Sequence, residues 1–119
     1  STWGGNLVDM VRATQILNIV KEDGLVEHAA TTGAYLLAQL HKLAEKHSIV
    51  TNVRGRGLLC AFDLPSKAQR DKFIAEGLVE NVMFLGCGAQ TIRFRPALTI
   101  QKEHIDKGVE KMDGILGKL

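Results

Sequence analysis

Two arginines in the last third of the chain are the residues best suited to hold an anion. Arg93 and Arg95 lie in the segment Thr91–Pro96 (TIRFRP), which is typical of a short strand stopped by a proline. Successive strand side chains point to opposite faces, so Ile92 and Phe94 are predicted to face the core and the arginines the other side. A guanidinium holds a carboxylate through two parallel hydrogen bonds. Spacing alone favours two solvated or salt-bridged surface arginines over such a site.

A second pair of arginines alternates with glycines in Arg54–Gly57 (RGRG). Glycine permits a positive φ and a close backbone approach, as a segment that binds an anion or an RNA backbone requires. Two arginines with apolar neighbours are too few for an RNA site. We therefore predict that this segment is a tight turn leading into a strand at Leu58.

The cysteines and histidines form no metal or redox pattern. Cys60 and Cys87 are too far apart for a CxxC motif. No base or cation adjoins Cys87, so Gly86–Gln90 is predicted to be a hairpin turn rather than a reactive thiol site. His41 and His47 are six residues apart, which places them on different helix faces. We expect two reduced thiols, no metal site and a cytoplasmic location.

The first residues of the chain offer hydroxyl groups and loose backbone. Ser1–Gly5 (STWGG) directly precedes a predicted helix, and a phosphate can bind at such a place. A plain helix start explains the same residues, and sequence alone favours it. Asn6 is the predicted cap of that helix.

Four helices and three strands are predicted to position these residues. In chain order they are a helix from Leu7 to about Lys21, a helix from Leu25 to about Lys46, a strand at Leu58–Leu64, a helix capped by Ser66 and running to about Val79, strands at Val82–Leu85 and Thr91–Arg95, and a helix from about Lys102 to Gly117. A short turn joins the last two strands, which makes them antiparallel. The predicted fold is α+β, an antiparallel sheet of three to four strands covered by helices on one face.

Apolar periodicity predicts an apolar face on each helix. The set is Leu7, Met10, Val11, Ala13, Ile16, Leu17 and Val20 in the first helix, Leu25, Ala29, Leu36, Leu40 and Leu43 in the second, Ala68, Phe73, Ile74 and Leu78 in the third, and Ile105, Val109, Met112 and Ile115 or Leu116 in the last. The small residues Ala29, Ala30 and Gly33 allow another element to approach the second helix closely.

Composition excludes several function classes. The 119 residues suit one domain, and apolar residues make up 45% of them. A net charge of +2 is too small to indicate binding to nucleic acid or to an anionic membrane. The apolar runs are far too short to span a bilayer.

Taken together, these segments resemble the C-terminal part of class III, pyridoxal-phosphate-dependent aminotransferases. Residues 1–12 (STWGGNLVDMVR) resemble L-lysine 6-aminotransferases. Residues 54–62 (RGRGLLCAF) and 93–96 (RFRP) are similar to both those enzymes and 4-aminobutyrate aminotransferases, whereas 85–88 (LGCG) resembles the latter group.

The resemblance implies a fold type I homodimer in which residues 1–24 are a linking helix from a large domain and 25–119 the small C-terminal domain. The first helix would then pack on the large domain or the dimer partner. The lysine that forms the Schiff base lies upstream of the Thr-Trp motif in this family, and no lysine of this chain matches it. The resemblance therefore implies that the chain alone is inactive.

Two positions carry over from the family. Thr2 matches the threonine that bonds the phosphate of pyridoxal 5'-phosphate in the neighbouring subunit. Arg93 matches the arginine that grips a carboxylate of the amino donor or of 2-oxoglutarate, while Arg95 is expected to be structural. The implied reaction moves the terminal amino group of lysine to 2-oxoglutarate, giving glutamate and a semialdehyde. The alternatives are another class III omega-aminotransferase, such as one acting on 4-aminobutyrate, and a non-enzymatic anion-binding or interaction domain.

Overall fold

A computed structural model describes residues 2–119. Ser1, the first residue of the segment Ser1–Gly5, therefore lies outside the described residues. The elements are α1 (Leu7–Glu22), α2 (Leu25–Lys46), β1 (Thr51–Arg56), β2 (Leu59–Asp63), α3 (Lys67–Val79), β3 (Leu85–Cys87), β4 (Thr91–Phe94) and α4 (Lys102–Leu116). The strands form one antiparallel sheet in the order β1-β2-β4-β3. The predicted α+β fold is confirmed.

Side-chain caps start two of the helices where the sequence predicts. The Asn6 side chain accepts hydrogen bonds from the backbone N–H groups of Val8 and Asp9. Ser66 does the same for the N–H of Gln69 at the start of α3. Each cap satisfies backbone donors that have no partner inside the helix.

Strand β1 was not predicted. The segment Val53–Gly57, interpreted as a turn, lies mostly inside this strand, and the turn itself is confined to Gly57 and Leu58. Its sequence hides the strand because β1 is a largely exposed edge strand with a glycine and no apolar alternation. Pairing with β2 supplies the hydrogen bonds that local propensity does not predict.

The position of β3 also differs from the prediction. The strand begins at Leu85 rather than Val82 and includes Gly86 and Cys87, which were assigned to a turn. Val82 instead bonds back to the carbonyl of Gly77 at the end of α3. Phe84 is buried in the connecting segment, so apolar character there reflects core packing rather than a strand.

The core lies between one face of the sheet and the helices α2, α3 and α4. Its buried members are Leu36, Leu40, Leu43, Val50, Cys60, Phe62, Leu64, Phe73, Phe84, Ile92, Ile105, Met112, Ile115 and Leu116. Edge-to-face packing of Phe62 on Phe73, with ring centroids 5.8 Å apart, joins the sheet to α3. Most predicted positions of α2 and α4 are confirmed, but Ala68 and Leu78 of α3 are exposed.

Helix α1 buries none of its residues against the rest of the chain. Its predicted apolar stripe is exposed from Leu7 to Leu17, and Val20 is only half-buried. The resemblance implies that this helix packs on the large domain or the dimer partner, and that expectation stays a prediction. The periodicity correctly indicates an apolar face, which needs a surface outside these residues for its burial.

Candidate functional site

One face of the sheet is not covered by helices and carries the polar residues that could do chemistry. Ala61 of β2 pairs with Arg54 of β1 on one side and with Arg93 of β4 on the other, and Arg93 in turn pairs with Leu85. Directly paired residues project to the same face, so these four form one row. We call this surface the open face. Its members are Arg54, Arg56, Leu59, Ala61, Asp63, Leu85, Cys87, Thr91 and Arg93.

Arg93 lies at the centre of the open face. Its neighbour Ile92 is fully buried on the opposite side, as the strand alternation predicts. Arg93 is half-buried, and its Nε is buried with no hydrogen-bond partner among residues 2–119. No salt bridge to Arg93 occurs within that range either. A partly desolvated guanidinium in this state can bind an external carboxylate without first breaking an internal ion pair.

A shallow cleft of about 220 Å³ adjoins Arg93 on the open face. Its lining combines two guanidinium groups with a hydroxyl, two thiols and apolar groups. The residues are Arg54, Gly55, Leu59, Cys60, Ala61, Cys87, Thr91 and Arg93. The cleft therefore suits a small anion that also carries an apolar segment.

Arg54 belongs to a hydrogen-bonded network around Asp63. The carboxylate of Asp63 accepts from the Thr91 hydroxyl at 2.6 Å, from Arg54 at 3.1 Å and from the Asn52 amide at 2.7 Å. Burial alone would raise the pKa of Asp63, but the hydrogen bonds from Thr91, Asn52 and Arg54 outweigh it, and the pKa is lowered. Asp63 is therefore an anion at neutral pH.

This network around Asp63 was not predicted from the sequence. The available signal was Asp63 itself, an acidic residue inside the apolar run Leu58–Leu64. A buried carboxylate needs donors, so the run indicates that a partner exists. The identity of the partners depends on the sheet register, and β1 was not predicted.

Arg70 fixes the hairpin that carries Arg93. Its guanidinium donates to the carbonyl of Gly88 and to the carboxylate of Asp71, at 2.6 and 2.9 Å for the latter. Its side chain passes over Gly86, where a Cβ would come within 3.4 Å of it. A helix residue thus anchors the β3–β4 turn from the covered side of the sheet.

Arg95 follows the end of β4 and is exposed. It lines a second cleft with Pro96, His104 and Met83, which Arg93 also borders. Within residues 2–119 it makes no salt bridge. The expected structural role of Arg95 stays a prediction.

Thr2 lies far along the chain from Arg93, in an exposed turn that leads into α1. The turn includes Gly5 with φ +77°, a conformation that favours glycine. Thr2 lines neither of the two clefts that Arg93 borders. The structure therefore does not bring the two predicted site residues together within one chain.

Neither cysteine has a disulfide partner. Cys60 is buried, and burial raises the pKa of its thiol, whereas Cys87 is exposed on the open face. Across residues 2–119, no three His, Cys, Asp or Glu side chains are grouped as metal ligands. No helix in that range is long and apolar enough to cross a membrane.

Comparisons with known proteins place these features in a family. The family model described as Aminotransferase class-III matches residues 1–116. The chain is 46% identical over 114 residues to the L-lysine-epsilon aminotransferase of Amycolatopsis lactamdurans, covering 94% of this chain and 25% of that protein. It is 36% identical over 105 residues to the mitochondrial 4-aminobutyrate aminotransferase of Sus scrofa, covering 87% of this chain and 21% of that protein.

A solved structure gives the same result. The lysine aminotransferase from M. tuberculosis in the internal aldimine form superposes with a TM-score of 0.94 and 46% identity, covering 98% of this chain and 27% of that one. The chain therefore spans about a quarter of the length of the relatives it matches. With a family match over nearly every residue and the same backbone arrangement, this chain belongs to the class-III aminotransferases.

Proposed function

We propose that this chain is part of a pyridoxal-phosphate-dependent aminotransferase that moves the terminal amino group of lysine to 2-oxoglutarate. Residues 25–119 would form its small C-terminal domain and residues 1–24 the helix that links it to a large domain. The observation that carries the proposal is Arg93 on the open face, whose partly desolvated guanidinium has no salt bridge among residues 2–119 and whose Nε has no hydrogen-bond partner there. The 46% identity to a lysine enzyme, against 36% to a 4-aminobutyrate enzyme, supports lysine as donor.

The residues present fit a supporting role toward the cofactor rather than its attachment. Thr2 presents a hydroxyl from an exposed turn, a suitable donor to a phosphate group held by another subunit. No lysine lines either cleft that Arg93 borders. The chain alone is therefore expected to be inactive, with the Schiff-base lysine upstream. Pyridoxal phosphate supplies the electron sink that amino-group transfer needs.

Arg93 would select and orient both substrates. Lysine and 2-oxoglutarate each carry a carboxylate, and a two-pronged hydrogen bond to the guanidinium fixes the direction of the substrate chain. Leu59, Ala61 and Leu85 neighbour Arg93 in the sheet on the open face, where they can pack against methylene groups of a substrate. The proposed homodimer would place Thr2 of one subunit at the cofactor of the other.

A second candidate function is transfer from 4-aminobutyrate. The observation that favours it is the segment Leu85–Gly88, which resembles 4-aminobutyrate aminotransferases and forms the strand paired with the Arg93 strand. Parallel assays of the full-length enzyme with lysine and with 4-aminobutyrate as donor separate the two. A higher kcat/KM for 4-aminobutyrate would replace the first proposal by the second.

The test of the carboxylate site is Arg93→Lys in the full-length enzyme. Lysine keeps the charge but cannot form the two-pronged contact, so we expect kcat/KM to fall for both half-reactions by roughly 2–5 kcal/mol of transition-state stabilisation. Preference for a donor with a carboxylate over a plain primary amine should fall too. Arg95→Lys is the matched control and should affect the 2-oxoglutarate KM less. An unchanged carboxylate preference and KM in Arg93→Lys would exclude the role.

A further inference from the structure

Asp63 is a neighbour, by sheet register, of two open-face arginines, Arg54 and Arg93. Arg54 and Arg93 pair with the same residue, Ala61, from opposite sides, and Asp63 is two residues beyond Ala61 on the same strand. Asp63 is therefore a diagonal neighbour of each arginine. Diagonal neighbours lie about 7–8 Å apart, a distance that long side chains bridge. By register alone, either guanidinium can pair with this carboxylate.

Among residues 2–119, Asp63 nevertheless forms its ion pair with Arg54 and not with Arg93. The Arg54 guanidinium donates to Asp63 at 3.1 Å, to the carbonyl of Asn52 at 2.7 Å and to the Thr91 hydroxyl at 3.3 Å. Asn52 reaches this position because β1 has an irregular register between Thr51 and Arg54, where Asn52 adopts φ 51°. The bulge thus binds the arginine through its carbonyl and the carboxylate through its amide.

The Asp63 carboxylate thus accepts from three side-chain donors, Asn52, Arg54 and Thr91, and Arg93 is not among them. We propose that Arg54 is a positioning residue for Arg93, because it holds Asp63 in an internal ion pair and so keeps Arg93 free for the substrate carboxylate. This inference rests on the proposed function and deepens it. Without Arg54, the nearest cation able to reach Asp63 on the open face is Arg93, and an Asp63–Arg93 pair would compete with the substrate.

The test measures binding of glutarate, a dicarboxylate without the keto group, to the full-length holoenzyme by titration calorimetry, together with the KM for 2-oxoglutarate. Arg54→Leu should weaken glutarate binding and raise the KM for 2-oxoglutarate, each by about tenfold, with kcat little changed. Tenfold corresponds to the contribution of one charge-assisted hydrogen-bonded pair. Arg56→Leu removes a positive charge from the same strand without touching Asp63, so it is the matched control and should leave glutarate binding unchanged. If Arg54→Leu does not fold, Arg54→Gln provides the same loss of charge.

A double variant separates competition from simple structural damage. Adding Asp63→Asn to Arg54→Leu removes the carboxylate that would capture Arg93, so glutarate binding should return toward the parent value. A double variant that binds as weakly as Arg54→Leu, or an Arg54→Leu enzyme with unchanged binding, would overturn the inference. Arg93→Gln tests the proposed function separately. If Arg93→Gln binds glutarate like the parent, the proposed carboxylate site itself is wrong. If Arg93→Gln weakens glutarate binding and Arg54→Leu does not, only the role of Arg54 is refuted.

Discussion

Replacing Gly33 by alanine perturbs the contact that holds helix α2 against the β1–β2 turn. A Cβ at Gly33 would lie 2.1 Å from both the carbonyl carbon and the carbonyl oxygen of Gly57. Ordinary van der Waals contact begins at 3.4 Å, so one of the two backbones must move by more than 1 Å. Gly57 itself has φ +55° and its carbonyl accepts from the Cys60 thiol, which restrains its movement.

The change in the free energy of unfolding caused by Gly33→Ala is the balance of two opposing effects. Alanine in a helix is favoured over glycine by about 1 kcal/mol. Forcing an extra carbon into a packed contact costs about 1–3 kcal/mol, and more where only backbone can move. The turn that must move follows directly after the strand of Arg54. We therefore expect Gly33→Ala to lower the free energy of unfolding by about 2 kcal/mol.

Urea unfolding monitored by circular dichroism measures this change. Gly108→Ala is the matched control, because Gly108 also lies inside a helix and a Cβ there meets nothing within 4 Å. That variant should be more stable than the parent by about 0.5–1 kcal/mol, the propensity gain alone. If Gly33→Ala matches Gly108→Ala, the close approach of α2 to the turn is not a constraint, and the reasoning from the Gly33–Gly57 contact is refuted.

Two further changes test the outlying parts of the chain. In the full-length enzyme, Thr2→Ala should weaken cofactor binding by roughly 1.5–3 kcal/mol and substrate binding less, because one hydrogen bond to a charged phosphate is lost. An unchanged cofactor dissociation constant would mean that Thr2 belongs only to the start of the helix. Hydrogen bonds from Lys46 and His47 lower the pKa of Asp113 from its ordinary 3.8. The Asp113 carboxylate therefore stabilises the fold above pH 3.8, and this contribution is lost as the pH falls from 3.8 through the lowered pKa. Asp113→Asn should therefore flatten the acid limb of a stability–pH curve, and an equally steep limb in this variant would contradict the assignment.

The local sequence was sufficient for elements whose signals are short-range. The side chains of Asn6 and Ser66 cap the helices that follow them because each reaches backbone N–H groups only two or three residues away. Alternation in Thr91–Phe94 likewise places Ile92 in the core and Arg93 outside, because strand geometry fixes the period. The motifs of these segments also indicated the family, which the comparisons confirm.

Only the tertiary structure determined where long-range pairing puts a residue. β1 carries no apolar alternation, and it becomes a strand because β2 offers it an unpaired edge. The Asp63 network follows from that pairing, since Arg54 and Thr91 are 9 and 28 residues from Asp63 and meet it through the sheet register. Periodicity alone could likewise not show that α1 lacks a covering surface within the chain. A sequence pattern specifies which face of an element is apolar or charged, whereas the partner of that face depends on contacts between distant segments.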